Sequence, residues 1–279
     1  MSERTATAVW VDGGLVDPAS ASVSAFDHGL TVGDGVFETL RVYRGTPFAL
    51  RRHLDRLARS AAGLALPVPD RAELERACAE VVAAAGLAEA RLRLTVTGGP
   101  GPLGSPRGEA PPTVVAAVAP LAPVSPAAAV AVAPWPRNER GPLAGLKTTS
   151  YAENVVLLAW ADERGAEEAI VADTIGRLCE GTGANVFVVH DGRLRTPTLA
   201  SGCLAGVTRA LVLELTDAEE IDLPLDALAT AEEAFLTSST REVQAIGEVD
   251  GQALPPTPGP RTKEAAAAFR ELVASNLDP

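Results

Sequence analysis

The chain has 279 residues, of which 47% are hydrophobic and 22% charged, with a formal net charge of −12. That length suits one large or two small globular domains with a sizeable core, and the negative balance argues against a nucleic-acid partner, whose phosphates would be repelled. No apolar run approaches the roughly 20 residues needed to cross a bilayer, and the opening MSERTATAVW lacks a secretory pattern, so the expected location is cytoplasmic, away from membranes.

Along the chain, Val9–Val11 and Leu15–Val16 flank Asp12-Gly13-Gly14, a hairpin pattern, and Phe37–Tyr43 and Pro47–Leu50 form a second extended pair turning at Arg44-Gly45. Helices are expected over Arg51–Gly63 and Asp70–Gly86, followed by strands at Arg91–Thr97 and Thr113–Ala119. Pro120, Pro123 and Pro126 mark residues 120–128 as a linker between a small N-terminal domain (1–119) and a larger domain (129–279). The larger part reads as strand Val130–Ala133, a proline-rich loop, helix Tyr151–Arg164 and short strands Ala169–Ala172, Gly176–Glu180 and Asn185–His190. After a turn at Asp191-Gly192 come helix Gly206–Leu215, strands Ala234–Leu236 and Glu242–Val249, and a closing helix. No repeat or heptad interrupts this pattern, which predicts an α+β fold in two domains.

Cys78, Cys179 and Cys203 are odd in number and scattered, which suits reduced thiols, and His28, His53 and His190 stand apart without HExxH or CxxC spacing, so no metal site is expected. Gly99-Pro-Gly101-Pro-Leu-Gly104 matches G-x-G-x-x-G, but its prolines forbid the helix a dinucleotide site needs, and the stretch reads as a loop. The chain carries 22 arginines but only two lysines, Lys147 and Lys263. Lys263 lies in the amphipathic pattern RTKEAAAAFRELV, where a lysine is ordinary. Lys147 lies in RGPLAGLKTTSYAEN, between a Gly/Pro-rich loop and a helix, and is the candidate nucleophile.

Three further stretches have anion-binding or acid–base character. SGCLAGVTR (201–209) leads small residues into a helix start, where free amides suit a phosphate. CEGTGANVFVV (179–189) sets Glu180 at a strand end beside two glycines, and EAFLTSSTREV (233–243) ends a strand in four consecutive hydroxyl residues. Arg52, Arg56 and Arg59 share a helix, where a charged outer face is the ordinary reading.

In order, the blocks DHGLTVGDGVFETLRV (27–42), HLDRL (53–57), LK (146–147), CEGTGANVF (179–187), LAGVTR (204–209) and FLTSSTREV (235–243) resemble the fold-type-IV pyridoxal-phosphate enzymes. That family includes D-amino acid aminotransferases, branched-chain aminotransferases and 4-amino-4-deoxychorismate lyases. The resemblance implies two domains, a small α/β N-terminal one and a larger β-rich one. It implies pyridoxal 5'-phosphate as cofactor, an amino donor and a 2-oxo acid acceptor as small-molecule partners, and a homodimer. By the same resemblance Lys147 forms the Schiff base, Glu180 pairs with the pyridine nitrogen to keep the ring an electron sink, and Arg56 grips the phosphate. Val207 and Thr208 would add helix-start amides, Ser238 or Ser239 further donors, and Leu204 would pack against one ring face. Asn185 would sit near the ring hydroxyl or support Glu180.

The block GDGVFE looks most like the D-amino acid transaminases, so transamination of D-amino acids, with (R)-amines as further substrates, is the expected activity. The alternative is the lyase, which eliminates pyruvate to give 4-aminobenzoate, although the asparagine such lyases often carry after the lysine is missing from Lys147-Thr-Thr-Ser-Tyr151. One departure stands out. D-amino acid transaminases commonly hold the substrate carboxylate with an arginine at the position occupied here by Gly98, and Phe37 stands where a tyrosine is frequent. Arg107, Arg137, Arg140 or Arg241 could substitute from a loop, or the carboxylate could rest on amides near Thr240, with Tyr151 also on the substrate side.

Overall fold

The two turn residues of the first hairpin adopt left-handed backbone angles, φ 41° at Asp12 and 107° at Gly13, which glycine and aspartate tolerate best. They join β1 (Ala8–Val11) to β2 (Gly14–Val16) in a computed structural model that describes residues 7–279. A one-turn helix α1 (His28–Thr31) follows, then β3 (Gly35–Tyr43), β4 (Thr46–Pro47), α2 (Leu50–Gly63), α3 (Arg71–Ala85), β5 (Glu89–Thr97) and β6 (Thr113–Ala119). These strands form an antiparallel sheet in the order β2-β1-β6-β5-β3-β4.

Strand alternation decides what each face of this sheet does. Val36, Leu40 and Val42 of β3 and Leu92, Leu94 and Val96 of β5 point toward α2 and α3, where they pack with Leu54, Leu57, Leu74 and Val81. Phe37, Arg93 and Thr95 therefore face the other way. Leu50 opens α2 instead of ending a strand, because Ala49 turns the chain with φ 53° and donates its N–H to Leu277 O (2.7 Å).

The remaining elements are β7 (Ala127–Val132), α4 (Ala152–Asp162), β8 (Glu168–Ala172), β9 (Leu178–Gly181), β10 (Asn185–His190), β11 (Arg193–Thr196) and α5 (Val207–Leu215). After these come β12 (Glu219–Glu220), β13 (Glu233–Ser238), β14 (Glu242–Val249), β15 (Gln252–Ala253) and α6 (Pro260–Ser275). Their sheet runs β12-β11-β10-β13-β14-β7-β8-β9, with β15 pairing β14. The pairs β14–β7, β7–β8 and β11–β12 are parallel and the others antiparallel. One face packs Val130, Ile170, Val186 and Leu236. Phe187 and Phe235, stacked at 4.8 Å, pack with Val212 of α5 and Ala265 of α6. Leu157 and Ala161 of α4 pack with Val171 and Cys179.

The chain divides into two compact units. The first holds residues up to Ala122 together with Leu146–Tyr151 and Asn276–Pro279; the second holds Pro123–Gly145 and Ala152–Ser275. Two departures from the sequence pattern have clear causes. β7 begins at Ala127, inside the proline-marked stretch, because prolines stop at Pro126 and the alanines that follow fit between β14 and β8. The strip carrying Lys147 belongs to the first unit, because it hydrogen-bonds to β3.

Candidate active site

Lys147 is fixed by its backbone before its side chain does anything. Phe37 N–H donates to Lys147 O (3.1 Å) and Thr149 N–H to Gly35 O (2.8 Å), so the strip runs along the edge of β3. From the helix side, Ser60 Oγ accepts from Lys147 N–H (3.0 Å). Gly63 allows this approach: a Cβ there would lie 2.7 Å from the Leu146 side chain.

The Lys147 amine stands 4.3 Å from the centre of the Phe37 ring and 5.8 Å from that of Tyr151, and the two rings meet edge to face at 5.1 Å. Phe37 also carries Arg93, whose guanidinium carbon lies 3.7 Å from the ring centre. Arg93 sits two residues before Thr95, which is directly opposite Phe37 in the β3–β5 register, so this is the diagonal contact a strand pair permits. Its hydrogen-bond partner is Thr95 Oγ1 (3.3 Å), and no carboxylate of the described residues lies within ion-pair range of it. Burial, and then the like charge of Arg91, pull the Arg93 pKa below its ordinary value, and Tyr151 opposes them.

Glu38, one residue on, points to the opposite face and meets α2. Its carboxylate is fully buried, accepting from Arg56 Nε (2.8 Å) and Nη2 (2.6 Å) and from His53 Nδ1 (2.7 Å). Burial pushes the Glu38 carboxyl up, but the charge and hydrogen bonds of Arg56, with His53, outweigh it and hold the pKa at about 2. Burial pushes His53 down; Glu38 opposes, while Arg56 and Lys147 add to the fall, leaving a neutral imidazole that donates through Nδ1.

In the second unit, Glu180 lies next to the end of β9 with its side chain 12% exposed; it accepts from Leu204 N–H (2.9 Å) and lies 3.5 Å from Arg137 Nε. Asn185 opens β10 and donates from Nδ2 to Leu204 O (2.8 Å). The Leu204 backbone is therefore held on both sides by these two residues. Gly206 follows at the N-cap of α5, where a Cβ would fall 2.0 Å from Asn185 Oδ1, so any side chain would break the arrangement. Val207 and Thr208 form the buried first turn of α5, whose cap contributes no side-chain hydrogen bond. Ser238, Ser239 and Thr240 are half-buried in the turn between β13 and β14.

The candidate substitutes for the carboxylate trap have other partners. Arg107 holds Asp34 with both arms of its fork (2.6 Å each) and donates to Leu64 O and Ala65 O. Arg140 is exposed and paired with Glu139 at 3.2 Å. Arg241 donates to Gln244 Oε1 (2.6 Å), and Glu168 lies 3.4 Å away. Arg137 stands beside Glu180. Gly98 itself has no room for an arginine: a Cβ would lie 2.5 Å from Asp34 Oδ2 and 3.2 Å from His28 Cβ. The stretch 99–104 opens no helix. The sequence alone does not single out Arg93, Glu38 or His53 as site residues; for the first the available signal is one of two arginines, Arg91 and Arg93, in an alternating strand. Among the described residues no group of three or more His, Cys, Asp or Glu side chains is arranged to hold a metal, and no helix is long and apolar enough to cross a membrane.

The sequence profile of the amino-transferase class IV family matches residues 35–249. A Methanocaldococcus jannaschii protein, provisionally described as a branched-chain-amino-acid aminotransferase, is 36% identical over 258 residues, covering 88% of this chain and 89% of the relative. The D-alanine aminotransferase of Bacillus licheniformis is 31% identical over 276 residues, with 96% and 97% covered. Among solved structures, the T.th. branched-chain amino acid aminotransferase complexed with N-(5'-phosphopyridoxyl)-L-glutamate superposes with a TM-score of 0.90 at 28% identity, covering 97% of this chain and 95% of that one. With the profile spanning both units and relatives alike along their whole length, this chain belongs to the class IV aminotransferases and uses pyridoxal 5'-phosphate.

Proposed function

We propose that Lys147 is the amine that carries the cofactor and moves the substrate α-proton. Arg56, Val207, Thr208 and Ser238 or Ser239 donate to the cofactor phosphate, Glu180 faces the ring nitrogen, and Leu204 packs against the ring. The functional groups fit: a primary amine for the aldehyde, a carboxylate for a basic nitrogen, and an α5 start kept open by Gly206, whose missing Cβ would strike Asn185. Pyridoxal phosphate, when bound, supplies the electron sink for the charge left as the α-proton departs. Lys147 takes that proton from a backbone fixed by Phe37 and Ser60. Glu180 keeps the ring nitrogen protonated, and Arg137 Nε lies 3.5 Å from its carboxylate on the other side.

The substrates follow from Arg93. A half-buried guanidinium with no carboxylate partner among the described residues, over the ring that also bears the Lys147 amine, is a binding group for a substrate carboxylate. This single observation carries our reading that the substrates are amino and 2-oxo acids held by a carboxylate; that the donor is a branched-chain amino acid and the acceptor 2-oxoglutarate is the reading the similar proteins favour. The M. jannaschii and T.th. relatives support it, the latter being bound to a glutamate adduct. A charge-assisted hydrogen bond contributes about 1.5–3 kcal/mol. Arg93→Met should therefore raise KM for 2-oxoglutarate about ten- to hundredfold. Unchanged steady-state KM values for both donor and acceptor would remove Arg93 from the substrate site.

A second reading, transfer from D-amino acids, is favoured by the GDGVFE block and by the B. licheniformis relative. Half-reactions followed by loss of cofactor absorbance separate the two. The first reading expects reaction with L-leucine and L-valine well above that with D-alanine. The reverse order, together with reaction of (R)-1-phenylethylamine, selects the second. We also propose a homodimer: α4 exposes Val155, Val156 and Leu158, which a second copy would cover.

A further inference from the structure

The buried carboxylate of Glu38 has no role in the chemistry above, yet it accepts three hydrogen bonds of 2.6–2.8 Å. It takes two of the five donors of Arg56, Nε–H and one on Nη2, and so fixes the plane and the rotation of the guanidinium. His53 Nδ1–H closes the same carboxylate from one helical turn away. Both partners of Glu38 come from one face of α2, which one turn further on presents Ser60 to the Lys147 backbone. The sheet thus holds the helix in register at two points, and the fork of Arg56 is set by the sheet and not by its own flexible stem.

We propose that Glu38 is a positioning residue for the cofactor phosphate, acting only through Arg56. The inference rests on the proposed phosphate-binding role of Arg56. Two physical effects compete, and their signs differ. A carboxylate beside the guanidinium lowers the positive field that a phosphate dianion feels, which by itself weakens binding. The same carboxylate removes rotamer freedom that an unheld arginine would lose on binding, which strengthens it. With two hydrogen bonds to a fork in a buried setting, the geometric effect prevails.

The test is the affinity of the full-length protein, stripped of cofactor, for pyridoxal phosphate and for pyridoxal, which lacks the phosphate; both are followed by absorbance. Glu38→Gln keeps the volume but turns an amide N–H toward the guanidinium donors. It should raise the dissociation constant for pyridoxal phosphate about ten- to hundredfold and leave that for pyridoxal within about twofold. Glu38→Asp keeps the charge but shortens the reach, so it should give a smaller, equally phosphate-specific loss, and it serves if the glutamine variant does not fold. Arg56→Ala is the control. If it leaves the pyridoxal phosphate affinity unchanged, the role of Arg56 fails and this inference with it. If Arg56→Ala weakens binding but the Glu38 variants do not, or tighten it, the positioning role alone is wrong. Equal losses for both ligands would mean that Glu38 only supports the fold.

Discussion

Lys147→Ala should abolish transamination, lowering turnover by at least about four orders of magnitude. Transfer of the α-proton needs a base whose pKa can fall near neutrality and whose position is fixed. An arginine guanidinium stays protonated in a protein, so Arg93 cannot take over. The other lysine, Lys263, is exposed on α6. The fold should survive the change. The strip carrying residue 147 is held by backbone bonds to Phe37, Gly35 and Ser60, none of which uses the side chain. Steady-state rates paired with a thermal melt check both halves of this expectation. Residual turnover within a hundredfold of the unmodified protein would contradict it.

Glu180→Gln should keep the cofactor but slow turnover about a hundred- to thousandfold. The amide oxygen can still accept from Leu204 N–H, so the local backbone stays as it is. What is lost is the negative charge. Without it a protonated ring nitrogen has no counter-charge, and Arg137 Nε, 3.5 Å from the carboxylate, would be left facing a neutral group. The electron sink then weakens while the anchoring groups are untouched. Single-turnover kinetics with saturating cofactor isolate the effect. Rates close to those of the unmodified protein would make Glu180 a turn residue and no more.

Local patterns in the sequence reached a long way because they rest on short-range physics. The hairpin at Asp12-Gly13, the helix ending at Gly86 with φ 62° and the strand Asn185–His190 all follow from turn chemistry and periodicity. The order of motifs carried the family. What stayed hidden depends on partners distant in sequence. Arg107 is an obvious loop cation until it meets Asp34, 73 residues earlier. Arg56 has an appearance of surface charge until Glu38 is placed opposite it by the sheet. Arg93 sits in R-L-R-L-T-V, which reads as an ordinary alternating strand, and only the β3–β5 register puts it over Phe37. The membership of the Lys147 strip in the first unit has the same origin, a strand pairing between residues more than a hundred positions apart. Substrate choice is legible in the sequence only through one short block, GDGVFE, whereas relatives carrying branched-chain names match most of the chain.

That Lys147 carries the cofactor is open to a direct chemical measurement, because the chain has only two lysines. Borohydride reduction of the cofactor-loaded protein, followed by proteolysis and mass spectrometry, fixes the label where the amine was bound. The phosphopyridoxyl group should be found on the peptide containing Lys147 at close to one per chain, with Lys263 unmodified. Label confined to Lys263, or none on either lysine despite retained cofactor absorbance, would contradict the assignment.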